Sequence, residues 1–245
     1  MNHEPRSIEW SEDESNQFLK YGHLFVPERE QLAKVFCDLI PAQHHDTFTV
    51  VDVGVGGGWL TEAILKHFPN ASVIALDGSQ TMLKATQNRL QEFADRIEFQ
   101  SFNLFDKEWY LPFRHKVKCF VSSLVLHHLD QTERAELFEG FYQTLVPGGA
   151  LIYMDLVKEK SEYGRRHMAR AWNEETARRS LQFLGDLSAY EAFQELQWNP
   201  YVYSWDHIDR PSSLLEQLKM IEQAGFQGVD AFWVKAGHAV MGGYK

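Results

Sequence analysis

The stretch Val50–Leu60, "VVDVGVGGGWL", places four glycines in five positions between a β-branched run and a tryptophan. A short apolar run that is β-branched and stopped by glycine reads as a buried strand. The following "LTEAILKHF" reads as a helix that closes near Pro69. Strand, glycine loop and helix together bring backbone N–H groups and a helix N-terminus against a ligand. The loop therefore fixes a local topology and marks where a site belongs.

The same alternation runs through the first 157 residues. After an entry segment, "SNQFLKYGHLFVPEREQLAKVFCDLI", with helical spacing around Leu32, Val35, Phe36 and Leu39, strands are predicted at "TVVDV", "ASVIALD", "RIEFQSF", "CFVSSLVL" and "GGALIYMDLV". Helices are predicted between them at "SQTMLKATQNRLQEF", with Ser79 as N-cap, and at "RAELFEGFYQTLV". This rhythm implies an α/β fold: a doubly wound, mostly parallel sheet with helices on both faces. Residues 158–210 break the rhythm and read as a helical insertion. The helix "SLLEQLKMIEQAGF", stopped by Gly225, and the strands "VDAFWVK" and "HAVMGGYK" then complete a seven-stranded sheet with an antiparallel last strand. The expected organisation is a single domain, 1–245, with an N-terminal helical segment, 1–42, and the insertion ahead of the last two strands.

Composition narrows the function. At 245 residues and 44% hydrophobic the chain can bury a full core. It has no apolar run long enough for a bilayer, and "MNHEPRSIEWSEDES" is too polar for a signal peptide, so the expected location is cytoplasmic, away from membranes. Cys37 and Cys119 stand in apolar surroundings and read as two buried thiols, neither a disulfide framework nor a zinc site. A net charge of -10 argues against nonspecific nucleic-acid binding by the whole chain.

The glycine spacing rules out a P-loop and speaks against a dinucleotide. A P-loop needs Gly-Lys followed by Ser or Thr, but Gly58 precedes Trp59 and Leu60. A dinucleotide fingerprint counted from Gly54 puts Trp59 where close helix packing requires a small residue. What remains is Gly54, Gly56 and Gly58, preceded by Asp52. With Asp77 ending the second strand 23 residues after Gly54, Asn103 after the third, "SSLVLHHL" at the fourth and "LVPGGALIYMD" at the fifth, this set resembles the class I S-adenosylmethionine-dependent methyltransferases. The resemblance covers roughly residues 45–157 and returns in "AGFQGVDAFWVKAGHAVMGGYK".

The resemblance implies a Rossmann-like fold and S-adenosylmethionine as cofactor. Asp77 would accept from the ribose hydroxyls, and Asn103, where the family usually has Asp, would accept from the adenine amino group through its carbonyl oxygen. The resemblance also assigns cofactor contacts to Tyr21, Asp52, Gly54, Gly56, Gly58, Gly78, Ser79, Met82, Leu104 and Ser122. The entry segment would lid the cofactor, with Tyr21 and Arg29 near its polar ends.

Methyl transfer from a sulfonium needs the nucleophile about 3–3.5 Å from the methyl carbon, in line, in a site that excludes water. A base is optional and serves hydroxyl or protonated amine acceptors. The candidate is His127, with His128 beside it as a substrate contact; packing, helix capping or adenosine contact are the alternatives for the pair. No H-x-x-x-H or Cys cluster surrounds them, so no metal is expected. Trp198, Tyr201 and Tyr203 in the insertion would roof an acceptor, or else form the insertion's own core. An Arg-rich stretch, Lys158 to Arg179, carries a local excess of three positive charges and reads as a solvated helix face or a receiver of anions or RNA.

The expected function is S-adenosylmethionine-dependent methyl transfer to a small molecule. Two alternatives stand beside it: transfer to the wobble uridine of tRNA, whose modifying group the chain ends resemble, and cofactor binding without catalysis. A carboxylated cofactor is disfavoured because "YEAFQELQWNPYVYSWDHID" has no Lys or Arg. A small-molecule acceptor, tRNA in second place and a homodimer are the partners this reading allows.

Overall fold

The structure is a computed structural model and describes residues 12–205 and 208–245. Residues 1–11 of the expected N-terminal segment, and 206–207 of the insertion, lie outside the described residues. The entry segment forms two helices, α1 (Glu12–Phe25) and α2 (Arg29–Leu39), where one helical stretch was expected. Pro27 cannot donate to an α-helical ladder, and Glu28 takes a left-handed φ of 46°, so the chain turns a corner between them.

From there the alternation is as the sequence predicts. The strands are β1 (Thr49–Val53), β2 (Ser72–Asp77), β3 (Ile97–Ser101), β4 (Val117–Ser123) and β5 (Leu145–Leu156). The helices between them are α3 (Trp59–His67), α4 (Gln80–Arg89) and α5 (Gln131–Thr144). Ser79 caps α4 by accepting from the Met82 N–H, and Asp130 with Glu133 forms a capping box on α5. The insertion contributes α6 (Glu162–Leu184) and α7 (Ser188–Glu195), and the chain closes with α8 (Leu214–Gln223), β6 (Gln227–Lys235) and β7 (His238–Tyr244). The sheet order is β3-β2-β1-β4-β5-β7-β6, parallel except for β7, which runs antiparallel to both neighbours. Ala236 and Gly237, both at positive φ, make the tight turn that lets β7 slot between β5 and β6.

Each sheet face has its own core. One is built on Phe36, Ile64, Phe68 and Ile152, the other on Phe120, Phe138, Phe141 and Tyr153. Both cysteines are buried free thiols, and burial pushes the Cys37 thiol up to about 12.

A third core lies beyond the carboxyl ends of the strands, where Leu24 and Phe25 of α1 meet Trp172 of α6, Phe193 of α7 and Tyr201. Phe25 and Phe193 meet edge to face at 5.0 Å. Trp172 Nε1 donates to the Phe25 carbonyl at 2.8 Å, and the buried Arg179 guanidinium reaches the Glu30 carboxylate and the His23 carbonyl. The insertion and α1 thus pack together over the strand ends, tied to the start of α2 through Glu30. Glu175 anchors the insertion from below, between Arg178 at 2.6 Å and Lys235 of β6 at 3.2 Å.

Burial alone would raise Glu175, but these two cations outweigh it and hold the carboxyl down at about 2. A carboxyl depressed in the folded state adds stability above its unfolded value of 4.5, and that stability is lost as pH falls toward 2. Glu175→Gln is therefore expected to cost roughly 1–2 kcal/mol at pH 7. In urea denaturation the gap to wild type should close as the pH is lowered through that window; a gap constant with pH would refute the account.

Candidate active site

Two adjoining cavities open at the carboxyl ends of β1, β2 and β4, where ligands bind in open parallel sheets. The first, of about 370 Å³, lies over the glycine loop and is lined by Gly54, Gly56, Asp77, Gly78, Ser79, Met82, Asn103 and Leu104. Eight of the residues carried over from the sequence resemblance thus come together on one wall. The loop is folded back on β2: the Gly54 and Val55 N–H groups both donate to the Leu76 carbonyl, and Gly56 N–H donates to Asp77 Oδ2 at 2.8 Å. Asp77 Oδ1 accepts from Ser79 N–H at 2.9 Å. Each oxygen keeps a lone pair for a hydroxyl donor, so a vicinal diol can be held here by both. Burial raises the Asp77 carboxyl, and the N–H groups of Ser79, Gly56 and Gly78 oppose that rise. Asn103 Oδ1 accepts from Phe105 N–H at 3.2 Å and its Nδ2 donates to Asp106 Oδ1 at 3.0 Å, which orients the amide at the cavity wall.

Four of the expected contacts sit elsewhere. Asp52 is buried behind the loop, accepting from the Thr61 hydroxyl at 2.6 Å, with its carboxyl pushed up by burial to about 7. It braces the loop from inside the sheet. Ser122 ties β4 to β1 through the Val53 carbonyl, Gly58 opens α3 against Thr86, and Tyr21 stacks on Phe25 in the third core. Arg29 also turns away, lying over the Trp59 ring, and burial pushes its guanidinium down to about 9.

The second cavity, of about 750 Å³, lies between the sheet, α1 and the insertion. Trp198 and Tyr203 line it, with Trp172 and Trp205 beside them. Tyr201 does not: it is 1% exposed, and its hydroxyl donates to the Val157 and Gly237 carbonyls, so it belongs to the core beneath. Phe18 and Leu124 line both cavities and form the boundary between them. Leu124 holds a positive φ of 61° there, a conformation that costs a branched residue about 1–2 kcal/mol and is found at sites that over-determine it. Neither residue carries a polar signal in sequence, and both were missed.

The histidine pair stands at the same boundary, His127 on the second cavity and His128 on the first. Both lie in a 3-10 turn after β4. Asp155, fully buried near the end of β5, takes His127 Nδ1 at 2.5 Å. Burial would lower His127, but the Asp155 charge and hydrogen bond outweigh it and hold the imidazole above its ordinary value; Asp155 is held down in return. His128 is lowered, by burial and by the charge of its neighbour. Asp209 approaches from the end of the insertion, with Oδ1 3.5 Å from His127 Nε2 and 3.3 Å from His128 Nδ1.

What brings Asp209 there is Arg134. Its side chain is fully buried in α5 and donates to the carbonyls of Leu126, Leu129 and Arg210, while Arg210 N–H donates to the His127 carbonyl at 2.7 Å. The histidine turn and the Asp209 segment are thereby stapled together. In sequence Arg134 is an ordinary surface charge of an amphipathic helix.

A seven-stranded sheet of this order, with a glycine loop after β1 and an acid at the end of β2, is the fold of the class I S-adenosylmethionine-dependent methyltransferases. Residues 50–149 match the family model described as a methyltransferase domain. The ribosomal RNA small subunit methyltransferase H of Synechococcus elongatus is 30% identical over 51% of this chain, which spans only 40% of that protein's length. The carboxy-S-adenosyl-L-methionine synthase of Nautilia profundicola is 17% identical over 92% of this chain and 89% of its own. Among solved structures, the O-methyltransferase family 2 protein of Planctomyces limnophilus, in complex with apigenin, superposes with a TM-score of 0.61. It is 20% identical, and the match covers 96% of this chain and 61% of that one.

Proposed function

We propose that the chain transfers the methyl group of S-adenosylmethionine to a small acceptor held in the second cavity. The observation that carries this reading is the adjacency of the two cavities across Phe18 and Leu124. A sulfonium methyl placed at that boundary points from one cavity into the other. The acceptor's lone pair attacks the methyl carbon in line, the carbon–sulfur bond breaks, and its electron pair stays on sulfur as the neutral thioether. The protein supplies alignment and a dry wall. An acceptor cavity of this size also speaks for turnover over a binding-only role.

The lining selects the acceptor. Trp172, Trp198 and Trp205 offer flat apolar faces, while the charged groups are the carboxylates Asp13, Glu14 and Asp209. No Lys or Arg among the described residues lines either cavity, which favours a neutral or cationic acceptor over a polyphosphate and gives a carboxylated cofactor nothing to pair with. The arginines that pointed to RNA are largely engaged: Arg165 with Glu162, Arg178 with Glu175, and Arg179 buried against Glu30. Small-molecule transfer is therefore preferred over transfer to tRNA.

The test is mass spectrometry of whatever freshly purified protein releases on denaturation, with calorimetric titration of S-adenosylmethionine and S-adenosylhomocysteine into the stripped chain. Binding of either supports the reading, and binding of neither removes it. Once an acceptor is found by screening, Trp198→Ala should raise its KM about tenfold or more and leave cofactor affinity unchanged. A loss of cofactor affinity instead would mean that Trp198 belongs to the first cavity.

A further inference from the structure

We propose that His127, His128 and Asp209 are the ligands of a first-row divalent cation seated between the two cavities, its open positions turned toward the acceptor. The assignment of those open positions rests on the acceptor-cavity reading above; the cation site itself does not. His127 Nε2, His128 Nδ1 and an Asp209 carboxylate oxygen lie within 4.8 Å of one another. Two imidazoles and one carboxylate, leaving positions free, are a donor set for zinc and for iron(II).

Three features of the geometry favour a shared cation over a plain hydrogen-bonded cluster. Asp209 Oδ1 stands 3.5 and 3.3 Å from the two ring nitrogens, longer than the usual charge-assisted hydrogen bond of about 2.7–2.9 Å, although the contact to His128 still serves as a hydrogen bond. These two are close to the edge of a tetrahedron, about 3.4 Å, for ligand atoms about 2.1 Å from a central ion, and the two ring nitrogens, within 4.8 Å of each other, would draw together around it. Second, the remaining nitrogen of His127 is held by the buried Asp155 carboxylate, the arrangement that fixes tautomer and ring orientation in metal-bound histidines. Third, the ligand-bearing segments are preset from behind: Arg134 and the Arg210 N–H fasten the histidine turn to the Asp209 segment without using a ligand atom. Sequence spacing gave no metal signal because the carboxylate comes from the far end of the insertion.

The cation would hold an acceptor oxygen or nitrogen at the boundary. A coordinated hydroxyl loses its proton to water more readily, and the oxygen left behind attacks the methyl carbon. Two carboxylates at the cluster, Asp155 and Asp209, balance the ion's charge, with the Arg134 guanidinium opposing them through the turn.

The experiment uses the full chain stripped with a chelator, titrated with Co²⁺ by visible absorbance and with Zn²⁺ by calorimetry. The expected result is one ion per chain, with cobalt bands of a four- or five-coordinate nitrogen–oxygen site. Asp209→Asn and His128→Gln should each weaken binding about 100-fold, and Asp155→Asn about 10–100-fold. Circular dichroism and thermal melts on each variant establish that the fold persists, with S-adenosylhomocysteine affinity as a further control for Asp209→Asn and Asp155→Asn, neither of which lines the first cavity. Wild-type protein that takes up no stoichiometric ion overturns the proposal, as does cobalt affinity indifferent to Asp209→Asn in a folded chain. Neither ion titration needs cofactor or acceptor, so their failure leaves the methyl-transfer reading standing and returns His127 to the role of base.

Discussion

Gly56→Val is expected to lower S-adenosylhomocysteine affinity at least about 100-fold, some 2.7 kcal/mol, while the far-UV circular dichroism stays that of wild type. A Cβ at Gly56 would meet no protein atom closer than 3.8 Å, so the branched side chain would project into the first cavity, into the volume a ligand needs. The residue's φ of +51° adds strain of about 1–2 kcal/mol, and its N–H holds Asp77 in place, so some loss of melting temperature accompanies the loss of binding. Gly58→Val is the contrasting case. There a Cβ would lie 2.5 Å from the Thr86 methyl, so it should damage the packing of α3 on α4 before it touches the ligand. Calorimetry and thermal melts on the pair separate the two effects. Wild-type affinity in the Gly56 variant would remove the cofactor from the glycine loop.

Arg134→Met is expected to be the most damaging substitution outside the cofactor cavity. The guanidinium is the donor for three backbone carbonyls in two segments, those of Leu126 and Leu129 in the histidine turn and that of Arg210, and methionine donates to none of them. The Leu126 carbonyl keeps the Leu129 N–H, but those of Leu129 and Arg210 lose this donor at about 1–3 kcal/mol each, so with the lost Leu126 bond a total near 3–5 kcal/mol is expected after local relaxation. For a chain of this length that is a fall in melting temperature of roughly 6–20 °C. Turnover should fall further than stability accounts for, because a shift of about 1 Å at Asp209 and His127 misplaces the acceptor and can cost about 100-fold. S-adenosylhomocysteine affinity should hardly change, since Asp77 and the glycine loop are held by other bonds. Arg134→Lys should rescue little, as one ammonium cannot span the three carbonyls. A methionine variant with wild-type melting temperature and turnover would show that the Asp209 segment is placed by something else.

The corrections share a cause. Asp52 and Ser122 occupy the motif positions carried over from the resemblance, yet their side chains are consumed inside the sheet, by Thr61 and the Val53 carbonyl. Motif spacing fixes which strand end a residue occupies; it does not fix which neighbour reaches its polar atom first. Tyr201 was grouped with Trp198 and Tyr203 on aromatic content alone, and a buried hydroxyl that bonds two carbonyls cannot be told from a pocket phenol by composition.

The sequence by itself determined the alternation of strands and helices, the glycine loop, the acid at the end of the second strand and the number of strands, because these follow from apolar periodicity, glycine punctuation and local capping. Each is decided within about ten residues of chain. Only the tertiary structure decided that Phe18 and Leu124 divide two cavities, that Asp155 orients His127, and that Arg134 draws Asp209 to the histidine pair. Those relations join residues from separate elements through buried polar atoms and packed side chains, and no local pattern records a partner that arrives from across the sheet.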